Sequence, residues 1–318
     1  MRKTFSRPPA LQLHLHQVNQ QLASPVPVLS VVVACAERVD SLPACLDSLR
    51  ESCAGFVAEI IVSVCEDIAT SELESRHPDV RIVTLPRGAL VPRLWAEGIS
   101  ESRGAVVALT ISQCTASRGW AKALINAINS GASAAGGPLV LERSASVLDA
   151  AVFFLRYSAF LNERRPASSH TPAIAGDNSA YSRLALERGG WTREAGFWEV
   201  EVNELLIDRG DTLAWVPDAV MQFRNAGSMS VLSQRRFLHG RLFGISRART
   251  RGESSLRIVL AAPLVPLVML ARAARLAWPN RQYRRRLLAA SPAFAWLSAC
   301  WALGEAVGAI GAGFADRS

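Results

Sequence analysis

The sequence predicts an α/β fold: a mostly parallel sheet with helices on both faces, followed by C-terminal membrane-associated helices. Three observations carry that reading. Short β-branched runs alternate with segments of helical spacing over residues 28–129. Half of the 318 residues are hydrophobic and 19% are charged, which excludes a disordered or fibrous chain. Two long runs nearly free of charge lie close to the C-terminus, at 258–271 and 287–314.

Taken in order, 28–34 (VLSVVVA) is a buried strand. The segment 41–53 follows with Leu42, Cys45, Leu46 and Leu49 at helical spacing. Residues 57–64 form a second strand, 69–76 a short helix and 80–85 a third strand. A helix over 92–102 leads to a fourth strand at 105–110, and another helix covers 120–129. After Gly136-Gly137 the alternation becomes irregular. A long helix is expected over 148–162, a polar loop over 176–181 (GDNSAY) and a helix over 182–188. A helix over 198–208 and a strand over 212–216 close the domain. Ligands of open α/β sheets sit at the carboxyl ends of the strands, here 34–38, 64–67 and 110–115.

The two ends of the chain read differently. Residues 1–27 form a loose polar extension whose His14 and His16 alternate with Leu, and they contain no continuous apolar segment of the kind a secretory signal needs. The six cysteines form no CxxC pair, so a reduced main domain is expected rather than a disulfide framework or a zinc site. The net charge of +8 is concentrated: residues 235–286 hold thirteen Arg, no Lys and one acid, a local +12 that leaves −4 for the rest. The second apolar run is long enough to cross a bilayer core, about 20 helical residues, whereas the first is short and interrupted by Pro263 and Pro266. Four Arg lie between the runs at 279–286. Positive charge marks the cytosolic side, so the first run is expected to lie in the cytosolic leaflet and the second to span or lie deep.

The stretch VLSVVVACAERVDSLPACLDSLRES resembles the first strand and helix of family 2 glycosyltransferases, and EIIVSVCEDIA resembles their second strand. AVVALTISQCTASRGW stands where that family has its metal loop. GDNSAYSRLALERGGW and FWEVEVNELLIDRGDTLAWVPDAV resemble its acceptor loop and catalytic helix, and QRRFLHGRLFG its Arg-rich segment. The similarity runs in the family's order from about Val28 to Gly244. It implies a GT-A-like nucleotide-sugar-binding domain over 28–250, with a membrane-associated helical tail over 256–318.

The resemblance assigns roles residue by residue. Glu199 takes the place of the catalytic base, which removes the proton from the attacking acceptor hydroxyl. Donor contacts fall on Glu37, Arg38, Glu66, Asp67, Gln113, Arg235, Arg236 and His239, the last meeting the diphosphate as an imidazolium. Acceptor contacts fall on Asp177, Asn178 and Trp198. Arg183 reads as a surface charge. Departures from the family are equally informative. The family's paired Asp after the second strand become Val64 and Cys65, its Asp-x-Asp becomes Thr110-Ile111-Ser112-Gln113-Cys114, and its later metal-binding His becomes Phe223. Hard divalent cations need oxygen ligands. No cofactor, Mg²⁺ and Mn²⁺ included, is therefore expected, and Arg235 and Arg236 are expected to supply the positive charge.

The implied function is a membrane-associated glycosyltransferase on the cytoplasmic face of the cell (inner) membrane. It would move sugar from a nucleotide-sugar donor to a lipid-linked or glycan acceptor and contact an anionic membrane surface. The alternative is a non-catalytic nucleotide- or sugar-binding pseudo-transferase that partners an active enzyme. Nucleic acid is not expected as a partner, because the Arg are threaded between apolar runs rather than among exposed aromatics.

Overall fold

A computed structural model describes residues 26–36, 40–161, 167–168, 170–224, 227–249 and 253–315. All but the last two residues of the expected N-terminal extension, with His14 and His16, and the donor candidates Glu37 and Arg38 lie outside the described residues.

The parallel half of the sheet follows the expected alternation. Strands β1 (Leu29–Cys35), β2 (Ala58–Cys65), β3 (Arg81–Leu85) and β4 (Val106–Ile111) are parallel, in the order β3-β2-β1-β4. All seven residues of β1 are buried, which is why its sequence is continuously apolar rather than alternating. Helix α1 (Leu42–Cys53) has proline in its first turn and buries Leu42, Cys45, Leu46, Leu49 and Cys53 along one stripe. Helices α2 (Ser71–Arg76), α3 (Val91–Glu101) and α4 (Trp120–Asn129) complete this half.

The other half completes the sheet with short strands. Beyond β4 come β8 (Ser179–Ser182), β6 (Ala134–Gly136) and β9 (Leu213–Trp215), with β8 antiparallel to both neighbours and β6 parallel to β9. The expected polar loop at 176–181 is instead a 3-10 turn (Gly176–Asn178) running straight into β8, where Ala180 and Tyr181 are buried. A second sheet joins β5 (Cys114–Ala116), β10 (Met221–Phe223) and β7 (Leu139–Leu141) in the order β5-β10-β7. Helix α5 (Val147–Tyr157) opens with a capping box between Ser146 and Asp149 and ends earlier than expected, in a 3-10 turn over Ser158–Phe160. Helices α6 (Arg183–Arg188) and α7 (Glu199–Asp208) follow β8. Arg183 is not a surface charge, as its half-buried guanidinium donates to Gly104 O and the Ser102 hydroxyl, tying α6 to the start of β4.

The C-terminal helices are α8 (Met229–Arg249), α9 (Ser255–Ala261), α10 (Val265–Ala277) and α11 (Arg281–Ala315), with a 3-10 turn at Ala262–Leu264 around Pro263. Two segments are apolar and long enough to cross a membrane by composition, Ser255–Ala277 and Arg281–Ala312. They do not hang free of the sheet domain. The N-terminal turns of α11 bury Tyr283 and Leu287, with the Tyr283 ring 6.0 Å from those of Phe153 and Phe154 on α5. Its later turns run parallel to α8. Gly240 and Gly244 of α8 meet the backbone of Trp301 and Glu305, and Gly304 and Gly308 of α11 meet that of Phe237 and Arg241. Any Cβ at these four positions would collide with main chain, so the helices touch backbone to backbone. Arg247 of α8 pairs with both Glu253 and the buried Glu305, and Ser255 Oγ donates to Ala309 O at 2.8 Å.

Candidate functional site

A cavity of about 550 Å³ opens at the carboxyl ends of β1 and β4, where the alternation predicts a ligand. Ala34 and Ala36 from the end of β1 and Ile111, Ser112 and Gln113 after β4 form one wall. The opposite wall comes from α5, the 3-10 turn at 176–178 and the start of α7. Helix α8 closes the site with Leu232, Arg235, Arg236, His239 and Phe243. Arg235 reaches across to donate to Ala36 O, linking α8 to the end of β1.

The polar end is built around a residue that the sequence reading gave no role. Arg156, on the last turn of α5, donates to Asp177 Oδ2 at 2.7 Å, and the Tyr157 hydroxyl donates to the same oxygen. Asp177 is buried and its Oδ1 has no hydrogen-bond partner among the described residues. Burial works against the Arg156 charge, but the Asp177 carboxylate outweighs it and holds the guanidinium above its ordinary value. Arg156 has one sequence signal, as the only basic residue in the apolar helix VLDAAVFFLRY. Read alone, that pattern looks like a helix C-terminus favoured by its dipole.

Glu199 is the first residue of α7, directly after Trp198 at the N-cap. Burial and the neighbouring Asp177 charge raise its carboxyl to about 7, against a smaller opposing effect of Arg156. A group that is half ionised near neutrality can accept a proton and release it again. The site depends on a close approach at Gly176, since a Cβ there would meet the Trp95 ring at 2.7 Å and Glu199 Cγ at 3.0 Å. Trp95 is itself fixed by its indole N–H, which donates to Thr110 O at 2.8 Å.

The cationic side is α8. Burial and the nearby Arg156 lower Arg236 to about 10, still charged at neutral pH, and its Nε has no partner among the described residues. Burial together with Arg156, Arg236 and Arg235 drives His239 down to about 4. This corrects the expected imidazolium: at neutral pH His239 is a neutral imidazole. Its ring lies 5.9 Å from that of Trp198, whose indole N–H donates to Ala195 O at 3.0 Å.

The structure thus brings Gln113, Asp177, Trp198, Glu199, Arg235, Arg236 and His239 to one cavity. Three other candidates lie elsewhere. Asn178 points into the protein, where its amide accepts from the Trp120 indole at 2.7 Å and donates to Pro138 O and Ala219 O. It braces the turn and does not reach the cavity, which corrects its assignment to the acceptor. Glu66 and Asp67 are exposed beyond β2 and engage Arg87, so neither lines the cavity.

The positions where the resemblance places metal ligands are neighbours in space. Phe223 of β10 lies opposite Cys114 of β5, and Arg224 N–H donates to Gln113 O at 3.0 Å. Phe223 is fully buried, with its ring 5.1 Å from that of Tyr157. Burial and Asp177 raise the Cys114 thiol, so it is not a thiolate. Among the described residues no group of three or more His, Cys, Asp or Glu is placed to hold a metal ion. The chain matches no protein-family model and no curated protein.

Proposed function

We propose that the protein is a membrane-associated glycosyltransferase that moves a sugar from a nucleotide-sugar donor to a lipid-linked or glycan acceptor without a divalent metal. One observation carries the reading. A carboxyl poised near neutrality, Glu199, shares a cavity with two buried polar atoms, Asp177 Oδ1 and Arg236 Nε, that lack partners among the described residues. The first suits a hydroxyl and the second an anionic oxygen. The ordered resemblance from Val28 to Gly244 supplies the reaction class.

In this mechanism Asp177 Oδ1 accepts a hydrogen bond from a substrate hydroxyl and orients it. Glu199 takes the proton of the attacking acceptor hydroxyl as the new bond to the sugar carbon forms. The bond from that carbon to the diphosphate oxygen breaks, and the leaving nucleoside diphosphate carries off the electron pair. Arg235 and Arg236 meet the charge developing there. Neutral His239 can only donate or accept a hydrogen bond, so the cationic work falls to the arginines.

The pseudo-transferase reading has its own observation: the Phe223–Cys114 corner is buried and apolar where the resemblance expects metal ligands. A panel of nucleoside diphosphates and nucleotide sugars tests both readings by thermal shift, followed by a donor-hydrolysis assay with the best ligand. Stabilisation with slow release of free sugar supports the transferase. Stabilisation without any turnover supports the pseudo-transferase, and no stabilisation by any member removes both.

A further inference from the structure

We propose that the C-terminal helices dock the protein in the plane of an anionic phospholipid surface and that neither apolar segment crosses the bilayer. The proposal rests on the packing of these helices and stands independently of the transferase reading.

What lies beside α11 opposes a crossing. Its apolar run, 287–314, has its midpoint near Trp301. At that level α11 touches Gly240 of α8, one residue past His239, and a turn earlier the Trp296 indole N–H donates to Ser233 Oγ at 2.9 Å. Arg235, Arg236 and His239 therefore sit alongside the centre of the segment that would have to span. Crossing would carry the charged end of the cavity into the hydrocarbon core, where ionised side chains are costly. It would also strip Ala290, Phe294 and Leu297, which lie within the apolar run, from the core they share with α5.

The outer faces of these helices favour docking. From Leu288 onward the exposed stripe of α11 is apolar: Leu288, Trp296, Leu303, Val307 and Ile310. Its buried stripe holds Ser298 and the Glu305 that pairs with Arg247, so polarity is inverted relative to a water-facing helix. The outer helix α9–α10 exposes Leu256, Leu260, Leu264, Leu267 and Val268, each 59–69% accessible. A patch of this kind marks a binding surface.

Charge identifies the occupant. Arg257, Arg272, Arg275, Arg281 and Arg285 are exposed among these apolar side chains, and residues 254–304 contain no acid. Apolar residues interspersed with exposed Arg fit the headgroup and upper acyl region of an anionic leaflet. A protein partner would call for acids to face the same Arg, whereas a lipid surface supplies both chemistries at once. The 3-10 turn Ser158–Phe160, which lends Phe160 to the cavity, packs against α10. Docking therefore places the apolar side of the cavity next to the lipid.

The test adds purified full-length protein to preformed, sealed vesicles of phosphatidylcholine with or without one-third phosphatidylglycerol (roughly one headgroup in three). Binding is read by co-sedimentation and by quenching of tryptophan with brominated lipids. The expected result is binding to the anionic vesicles only, with trypsin trapped inside them leaving the chain intact. Arg272→Glu with Arg275→Glu should weaken binding by at least about tenfold, each lost charge counting for roughly fivefold. Leu264→Ser with Leu267→Ser tests the apolar part separately, and far-ultraviolet circular dichroism confirms that both variants remain folded. Cleavage by the trapped trypsin overturns the proposal, as does equal binding to neutral vesicles or a requirement for detergent before any association.

Discussion

Two neighbouring regions, the polar wall of the cavity and the apolar corner packed behind it, solve the problem of charge in different ways. The wall made by α5, the 176–178 turn and α7 concentrates it: burial and the Asp177 charge raise Tyr157 and Glu199 above their ordinary values, and against burial the same charge raises Arg156. The corner made by β5 and β10 removes it, leaving Cys114 against Phe223 with the Tyr157 ring packed behind. An active site that needs positive charge can hold it as a bound ion or as a side chain. Here the corner where the resemblance expects an ion is apolar, and the cations are side chains, Arg156 on α5 and Arg235 and Arg236 on α8. A cation carried by a side chain is set by folding and burial, so the polar wall must be sensitive to substitution while the apolar corner should tolerate volume-conserving changes.

The largest expected effect breaks the polar wall. Arg156→Met leaves the buried Asp177 carboxylate without its cationic partner, and the cost should be about 3–5 kcal/mol by urea unfolding. Phe223→Leu in the apolar corner should cost less, about 1–1.5 kcal/mol. Adding Asp177→Asn to Arg156→Met should recover part of the loss, because the unpaired charge goes with it. Equal costs for the two single variants would mean that Asp177 is solvated and that the walls do not differ as described.

Next in size is turnover. Glu199→Gln should keep the fold and donor binding and lower the transfer rate by at least about a hundredfold, the usual scale for a general base. Phe223→Leu should change it by less than about threefold, within the range of a modest repacking. A rate that is untouched in Glu199→Gln removes Glu199 as the base.

A third prediction sharpens the contrast between fixed and bound cations. Donor affinity should be unchanged by EDTA and weakened about 10- to 100-fold in Arg236→Ala, as expected for a lost charge-assisted hydrogen bond. Arg235→Ala should act in the same direction, though part of its effect will come from releasing the contact with Ala36. Binding abolished by EDTA and restored by Mn²⁺ would show that the phosphate site has been misplaced.

How much of this was legible in the sequence follows the same divide. The parallel half reads well because both faces of its strands are buried, so hydrophobic runs and helical spacing give each element within one or two residues. The antiparallel half reads poorly. Strand β8 is Ser-Ala-Tyr-Ser directly after Gly-Asp-Asn, and turn chemistry masks a strand whose burial comes from tertiary packing. Glu199, Asp177 and Arg236 could be found from the resemblance, since each stands in a recognisable segment. Arg156 could not, because its partner lies 21 residues on and only the fold joins them. The two glycine pairs were equally visible and equally silent: Gly240 with Gly244 and Gly304 with Gly308 have the spacing of close helix contacts, but spacing alone does not say which helices meet.

The smallest effect is in the pH dependence of stability, where two cavity residues pull in opposite directions. The Glu199 carboxyl is raised from 4.5 to about 7 in the folded protein, so the folded state holds its proton more tightly than the unfolded chain does. Its contribution is fully present below pH 4.5 and is lost as pH rises through 7. A shift of that size corresponds to at most about 3 kcal/mol, and cavity water will reduce it, so a gain of about 1–2 kcal/mol at pH 8 relative to pH 5 is expected for Glu199→Gln over the native protein. His239 is lowered from 6.5 to about 4, so its contribution is present above pH 6.5 and is lost as pH falls toward 4. His239→Asn should accordingly flatten the acid limb between pH 6.5 and 4 and leave the alkaline limb alone. Urea unfolding of the three proteins at pH 4, 5, 6.5 and 8 separates the two limbs. Parallel curves for Glu199→Gln and the native chain would mean that Glu199 titrates as it does in water, and with that the poised carboxyl on which the polar wall depends would be gone.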